Sequence, residues 1–152
     1  MTESVPSDDL AQACAVAMYA RDRAAQAMGI TVLEARAGYA RLDMTISDTM
    51  INGHDIAHGG AIFTLADTAF AYACNSRNEA NVALQCSISF TSPARLGERL
   101  VAVGEQRSGG SGRTGVYDIS VLRGDDSEVV ALFRGVCYRI GGTVLQEETD
   151  ER

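Results

Sequence analysis

The stretch "INGHDIAHGGAIFTLADTAFAYACNS", residues 51–76, decides how the rest of the chain is read. Both histidines of the protein, His54 and His58, lie in its glycine-rich first part, directly ahead of a run that is almost wholly apolar. From about Gly59 to Ser76 the residues Ile62, Phe63, Leu65, Ala66, Ala69, Phe70, Tyr72 and Ala73 spread around the full circumference of a helix. A helix that is apolar on every side belongs at the centre of a fold. One carboxylate, Asp67, interrupts it. Burying a charge is costly unless it is paired, shifted in pKa or turned towards a polar cleft. Asp67 therefore marks an ion pair with the surrounding structure, a polar stripe shared with Thr64 and Thr68, or a site of chemistry.

Working outward, Ser7, Asp8 and Asp9 suit a helix start, where a hydroxyl and carboxylates meet exposed amides and the positive dipole end. Leu10, Cys14, Ala17, Met18, Ala25 and Met28 then share one face, and Gly29 offers a stop, so a helix is predicted over about 7–29. The period changes at "ITVLEARAG" and "YARLDMTIS", which read as two antiparallel strands joined at Gly38. After the central helix, "NVALQCSISF" sets Val82, Leu84, Cys86, Ile88 and Phe90 on one face, and "RLVAVGEQ", "GVYDISVLRG" and "EVVALFRGVCYRI" follow as strands. Glycine-rich and acidic turns separate the last three. The economical packing is α+β: one curved antiparallel β-sheet wrapped around the long central helix. A half-wrapped sheet leaves an edge that a second subunit can cover.

The 152 residues show no shift in composition and are expected to form a single domain, with a mobile charged tail at about 146–152. A net charge of −7 argues against nucleic acid or an anionic membrane as partner. No apolar stretch reaches the roughly 18 residues that a membrane span needs, and the polar start is unlike a signal peptide. The four cysteines, Cys14, Cys74, Cys86 and Cys137, are widely spaced in apolar surroundings, as in the core of a cytoplasmic protein.

The chemistry gathers at the start of the central helix. Gly59 and Gly60 place backbone without side chains where unpaired amides carry partial positive charge, so a ligand oxygen can come close. Asn52, His54 and His58 add polar groups on the same loop, as an oxyanion hole requires. The spacing of His54 and His58 also occurs in helical metal sites, but the glycines place them in a loop and no third histidine exists, so no metal is expected. A Cys–His pair and a Gly-x-Ser-x-Gly elbow are both lacking. Gly59 and Asp67 are eight residues apart, about 12 Å along a helix. If both act on one carbonyl they must come from different subunits, which implies a homodimer with two shared sites.

These residues, "NGH…HGGAIFTLADTAFAYACNS", with the later "TGVYDI", "VALFRG" and "YRIGGT", resemble the PaaI-type phenylacetyl-coenzyme A thioesterases of the hotdog-fold superfamily. The resemblance implies a hotdog fold, dimers that pair into a homotetramer, and hydrolysis of phenylacetyl-CoA or ring-hydroxylated phenylacetyl-CoA in phenylacetate degradation, with no metal or organic cofactor. Gly59 would polarise the thioester carbonyl, assisted by Asn52 or His58, and Asp67 of the partner would act as general base or as nucleophile. His54, Gly60 and Thr68 are expected to touch substrate. Some members orient water with a Ser or Thr on the next strand; that position is Ala83 here, which leaves Gln85, Ser87 or Thr68. Ser92, Pro93 and Arg95 would line the pantetheine path. The loop "RSGGSGRTG" reads either as a plain hairpin connection or as a phosphate-gripping turn, and the resemblance favours the second, with Ser111, Gly112 and Arg113 as its contacts. A non-catalytic acyl-CoA-binding hotdog module, a hotdog dehydratase and a hydroxybenzoyl-CoA type thioesterase are the alternatives.

Overall fold

The computed structural model describes residues 7–109, 111–125 and 128–146, so the expected tail, Gln146 apart, lies outside the described residues. Helix α1 (Ser7–Arg21) carries Asp8 and Asp9 in its first turn, where they complement the helix dipole. The single helix expected over 7–29 is in fact two. The chain breaks at Asp22 and restarts as α2 (Arg23–Ala27), because the Asp22 carboxylate accepts the Ala25 N–H at 3.0 Å and caps the new helix. Gly29, at φ +69°, ends the segment in the left-handed conformation that glycine favours.

Strands β1 (Thr31–Arg36) and β2 (Tyr39–Thr45) pair across the Gly38 turn as expected. Then come the central helix α3 (Gly59–Cys74) and four strands, β3 (Asn81–Phe90), β4 (Arg99–Ser108), β5 (Thr114–Arg123) and β6 (Val129–Arg139). All six strands form one antiparallel sheet in the order β1-β2-β4-β5-β6-β3. The core lies between one face of this sheet and α3. Leu65, Ala66, Ala69 and Phe70 meet Leu42, Met44, Leu100, Ala102, Ile119, Val121 and Phe133, all of them buried. The Tyr72 hydroxyl donates to Asp22 Oδ2 at 3.1 Å and so fastens α2 to the central helix. Cys14, Cys74 and Cys137 are buried, Cys86 is half-buried, and all four are free thiols.

The edge strand β3 departs from its expected alternation. A bulge between Ala83 and Gln85 shifts the register, so Ala83 stands opposite Cys137 while Cys86 and Ile88 stand opposite Gly135 and Phe133. Cys86, Ile88 and Phe90 therefore face α3, whereas Val82 shares the outer face with Tyr138 and Leu84 sits in the bulge. Beyond the reach of α3, the inner face of β3 is only partly covered, and Leu84 and Phe90 are 62% and 51% exposed. Among the described residues no helix is long and apolar enough to cross a membrane.

Gly135 is where helix and sheet approach most closely. A Cβ there would fall 2.7 Å from the Phe70 ring, wedged by a core that leaves it nowhere to move. We expect Gly135→Ala to destabilise the fold by about 1–3 kcal/mol, the usual cost of overpacking, read as a lower denaturation midpoint with an unchanged far-UV spectrum.

Candidate active site

The start of α3 is built as a platform. Ile51 and Ala57 form a bridge that pinches off the loop between them. Inside it the Asn52 N–H donates to Ile56 O at 2.9 Å, and Asn52 Oδ1 accepts from His54 N at 2.9 Å and from Ile56 N at 3.4 Å. Its carbonyl end is thus spent on holding the loop, which leaves the NH₂ end to donate to a ligand. The loop is fastened below by His58 N to Met50 O and by Ala57 N to Ala94 O, both at 2.7 Å.

His58 caps the helix. Its Nδ1 accepts the Gly60 N–H at 3.1 Å, and its carbonyl accepts the Ala61 N–H at 2.9 Å. Of the first amides of α3, that of Gly59 is the one left over. Gly59 lines a cavity of about 400 Å³ together with Asn52, Ile62, Phe90, Ser92 and Pro93. His58 and Gly60 turn to the other side of the helix start, into a cavity of about 380 Å³ lined also by Met28, Met50, Ile51 and Thr64. His54 is exposed on the loop tip and lines neither.

Asp67 is half-buried. Among the described residues it has no cationic or hydrogen-bonding partner, so the ion pair with the sheet that the sequence left open is not what holds it. Burial, and then the negative charge of Asp22, raises its pKa above the ordinary carboxylate range. The Cys86 thiol on the inner face of β3 is raised as well, by burial and then by the nearby Asp67 charge. A carboxylate with a raised pKa and no counter-ion is a proton acceptor in waiting.

The remaining expected residues fall into three places. Thr68 is buried and its hydroxyl donates back to Thr64 O at 2.6 Å. Gln85 and Ser87 stand opposite Val136 and Arg134, on the sheet face turned away from α3, and Ala83 is on the inner face. Ser92 and Pro93 join the Asn52 and Gly59 cavity, held there by Arg123, whose Nη2 donates to Ser92 Oγ at 3.1 Å and to Pro93 O at 2.8 Å; Arg95 is exposed outside it. Ser111, Gly112 and Arg113 sit on the β4–β5 hairpin, by the C-terminal end of α3. Gly112 and Arg113 line a cavity of about 300 Å³ there with Arg77, Arg139, Cys74 and Tyr117. Within one chain these two expected coenzyme A contacts are separated by the length of α3, 16 residues or about 24 Å. Arg123 and Phe90 were missed by sequence reasoning. The alternation of β3 hinted at an inward Phe90, but nothing in it said where the strand would end.

The model of the thioesterase superfamily matches residues 54–130. The acyl-coenzyme A thioesterase PaaI of Escherichia coli K12 is 47% identical over 131 residues, 86% of this chain and 92% of that protein. The solved structure of E. coli PaaI, from the phenylacetic acid degradation operon, superposes with a TM-score of 0.86 at 46% identity, covering 90% of this chain and 97% of that one. PaaI of Thermus thermophilus, in a mutant structure, follows at a TM-score of 0.74 and 33% identity over 78% of this chain and all of the other. A Streptococcus mutans structure with bound acetyl CoA is 26% identical at a TM-score of 0.70, over 75% of this chain and 90% of that one. The chain belongs to the thioesterase superfamily, and its sheet closed on a central helix is the hotdog fold.

The raised pKa of Asp67 has a stability signature. Folding opposes its ionisation, so the stability it contributes below its unfolded pKa is lost as pH rises through the folded value. We expect Asp67→Asn to be more stable than the parent at pH 8, with the gap closing as the pH falls and the parent carboxyl protonates. Denaturant midpoints across that range measure it.

Proposed function

We propose that this protein is a cytoplasmic acyl-coenzyme A thioesterase that hydrolyses phenylacetyl-CoA or ring-hydroxylated phenylacetyl-CoA, using no metal or organic cofactor. The likeness to E. coli PaaI over most of both chains supports the substrate class. The observation that carries the chemistry is the unpaired, half-buried Asp67 on the same helix whose first amide is unspent. Neither group alone hydrolyses a thioester, and eight residues of helix keep them about 12 Å apart within one chain.

A two-fold dimer resolves this. Val82 and Leu84 on edge strand β3, both exposed, and the half-covered inner face beside them are what a second copy would bury. With two α3 helices antiparallel across that edge, Gly59 of one chain meets Asp67 of the partner subunit. The same symmetry brings the Ser92 and Pro93 end of one chain towards the Arg113 end of the other, which reunites the coenzyme A contacts that one chain holds apart. Two such dimers make the tetramer.

The thioester carbonyl then accepts from the Gly59 N–H and from the Asn52 NH₂. Asp67 of the partner subunit takes a proton from water, whose oxygen adds to the carbonyl carbon. The tetrahedral oxyanion gains strength from both donors in a water-poor cleft. Its collapse breaks the C–S bond, expels the coenzyme A thiolate, and returns the proton from the Asp67 carboxyl to sulfur. His58 shapes the site by capping the helix, which orients the neighbouring Gly59 amide.

A thiol-release assay tests the reading. Phenylacetyl-CoA should be cleaved, Asp67→Ala should abolish turnover, and Asn52→Ala should lower kcat by about 10² to 10³, the usual cost of one oxyanion donor. Tight binding of phenylacetyl-CoA with no thiol released would instead identify an acyl-CoA-binding module. In a single turnover in heavy-oxygen water, label is expected in the product acid alone; label in Asp67 would mean that the carboxylate attacks the thioester and forms an anhydride. Chelation with EDTA should leave the rate unchanged.

A further inference from the structure

Strand β3 ends on Phe90, a ring that the mechanism above does not use. Its register opposite Ala131 turns it to the face of the sheet that carries α3, yet it is 51% exposed. Its position is tight on one side: a Cβ built on Gly59 would lie 3.0 Å from Phe90 Cζ and 3.3 Å from Cε2. The ring therefore rests against the residue whose amide faces the cavity, and its free surface forms an apolar wall of that cavity alongside Ile62 and Pro93. A half-open aromatic ring beside an unspent amide is a surface prepared for an apolar group attached to an acceptor oxygen. When a thioester carbonyl accepts from Gly59, the acyl α-carbon is one bond from the carbonyl carbon, and the ring of an arylacetyl group one bond further. Contacting aromatic rings have centroids roughly 4.5–7 Å apart. A ring two bonds from that carbonyl has the reach to come within this range of a ring touching Gly59, whereas a straight acyl chain has no ring to stack there.

We propose that Phe90 is the specificity-determining residue that selects arylacetyl over straight-chain acyl thioesters, by packing on the substrate's ring beside the Gly59 amide. This rests on the acyl-CoA hydrolase reading and extends it to the choice of acyl group. The test compares kcat/KM for phenylacetyl-CoA and hexanoyl-CoA in the parent, Phe90→Leu and Phe90→Tyr. Leucine keeps the apolar bulk and removes the ring; tyrosine keeps the ring. The aryl-to-alkyl ratio should fall about ten-fold or more in Phe90→Leu, in the range by which apolar pockets discriminate, and stay within about two-fold in Phe90→Tyr. An unchanged ratio in Phe90→Leu, or equal losses on both substrates, would overturn the proposal, the latter placing the ring on the pantetheine arm or in the fold. Calorimetric binding of the two non-hydrolysable ketone analogues, in which a methylene replaces the thioester sulfur and the carbonyl is kept, separates the readings when run in parallel. Aryl preference in binding that disappears in Phe90→Leu, with no thioester cleaved by the parent, would keep the role of the ring and remove the hydrolase reading; cleavage of both substrates with a ratio indifferent to Phe90→Leu would do the reverse.

Discussion

A carboxylate with no counter-charge among the described residues sits on the helix around which the entire sheet is folded, and the rest of the structure is arranged by that fact. Burial holds the Asp67 carboxyl above its usual pKa, and the charge of Asp22 pushes it further. Any arginine placed against it would relieve the penalty and destroy its basicity at once. The arginines are instead engaged elsewhere: Arg99 on Asp43, Arg134 and Arg107 on Asp118, Arg123 on the segment after β3. These four arginines hold the outer face of the sheet and its loops, while the inner face of β3 near Asp67 presents Cys86 and Ile88.

The same economy appears at the start of α3. Six hydrogen bonds among Met50, Asn52, His54, Ile56, Ala57, His58, Gly60 and Ala94 hold the loop, and among the donors they leave over are the Gly59 amide and the Asn52 NH₂. Asn52 and Gly59 are half-buried and line one cavity, which gives an acceptor oxygen two donors within one site. In the proposed reaction the donor side is fixed by backbone geometry and the proton acceptor is a single side chain two turns further along.

Most of the fold was legible because it depends on period. The all-round apolarity of residues 59–76 gave α3 to within two residues of its observed end, and the alternation of Ala40, Leu42 and Met44 gave β2 and its inward face. Asp67 and Gly59 were legible because a charge in an apolar helix and glycines at its start violate the local pattern. What stayed hidden depends on contacts far apart in sequence. The break at Asp22 requires Tyr72, fifty residues on, to hold the carboxylate that caps α2. The bulge that turns Val82 and Leu84 away from Cys86 is set by pairing with β6. Arg123 secures Ser92 and Pro93 from a strand thirty residues later, and Phe90 meets Gly59 only because β3 stops where α3 begins.

Asp22 joins the two ends of this account. It caps a five-residue helix, anchors the hydroxyl of Tyr72, and raises the proton affinity of Asp67. The N-terminal segment is therefore not an appendage to a self-sufficient sheet and helix. The proton affinity of the Asp67 carboxyl is raised partly by a stretch of chain outside the helix that carries it. A relative that shared every residue from Asn52 to Cys74 but began its chain after Gly29 would lack the charge that Asp22 sets near Asp67, and that carboxyl would hold its proton less firmly.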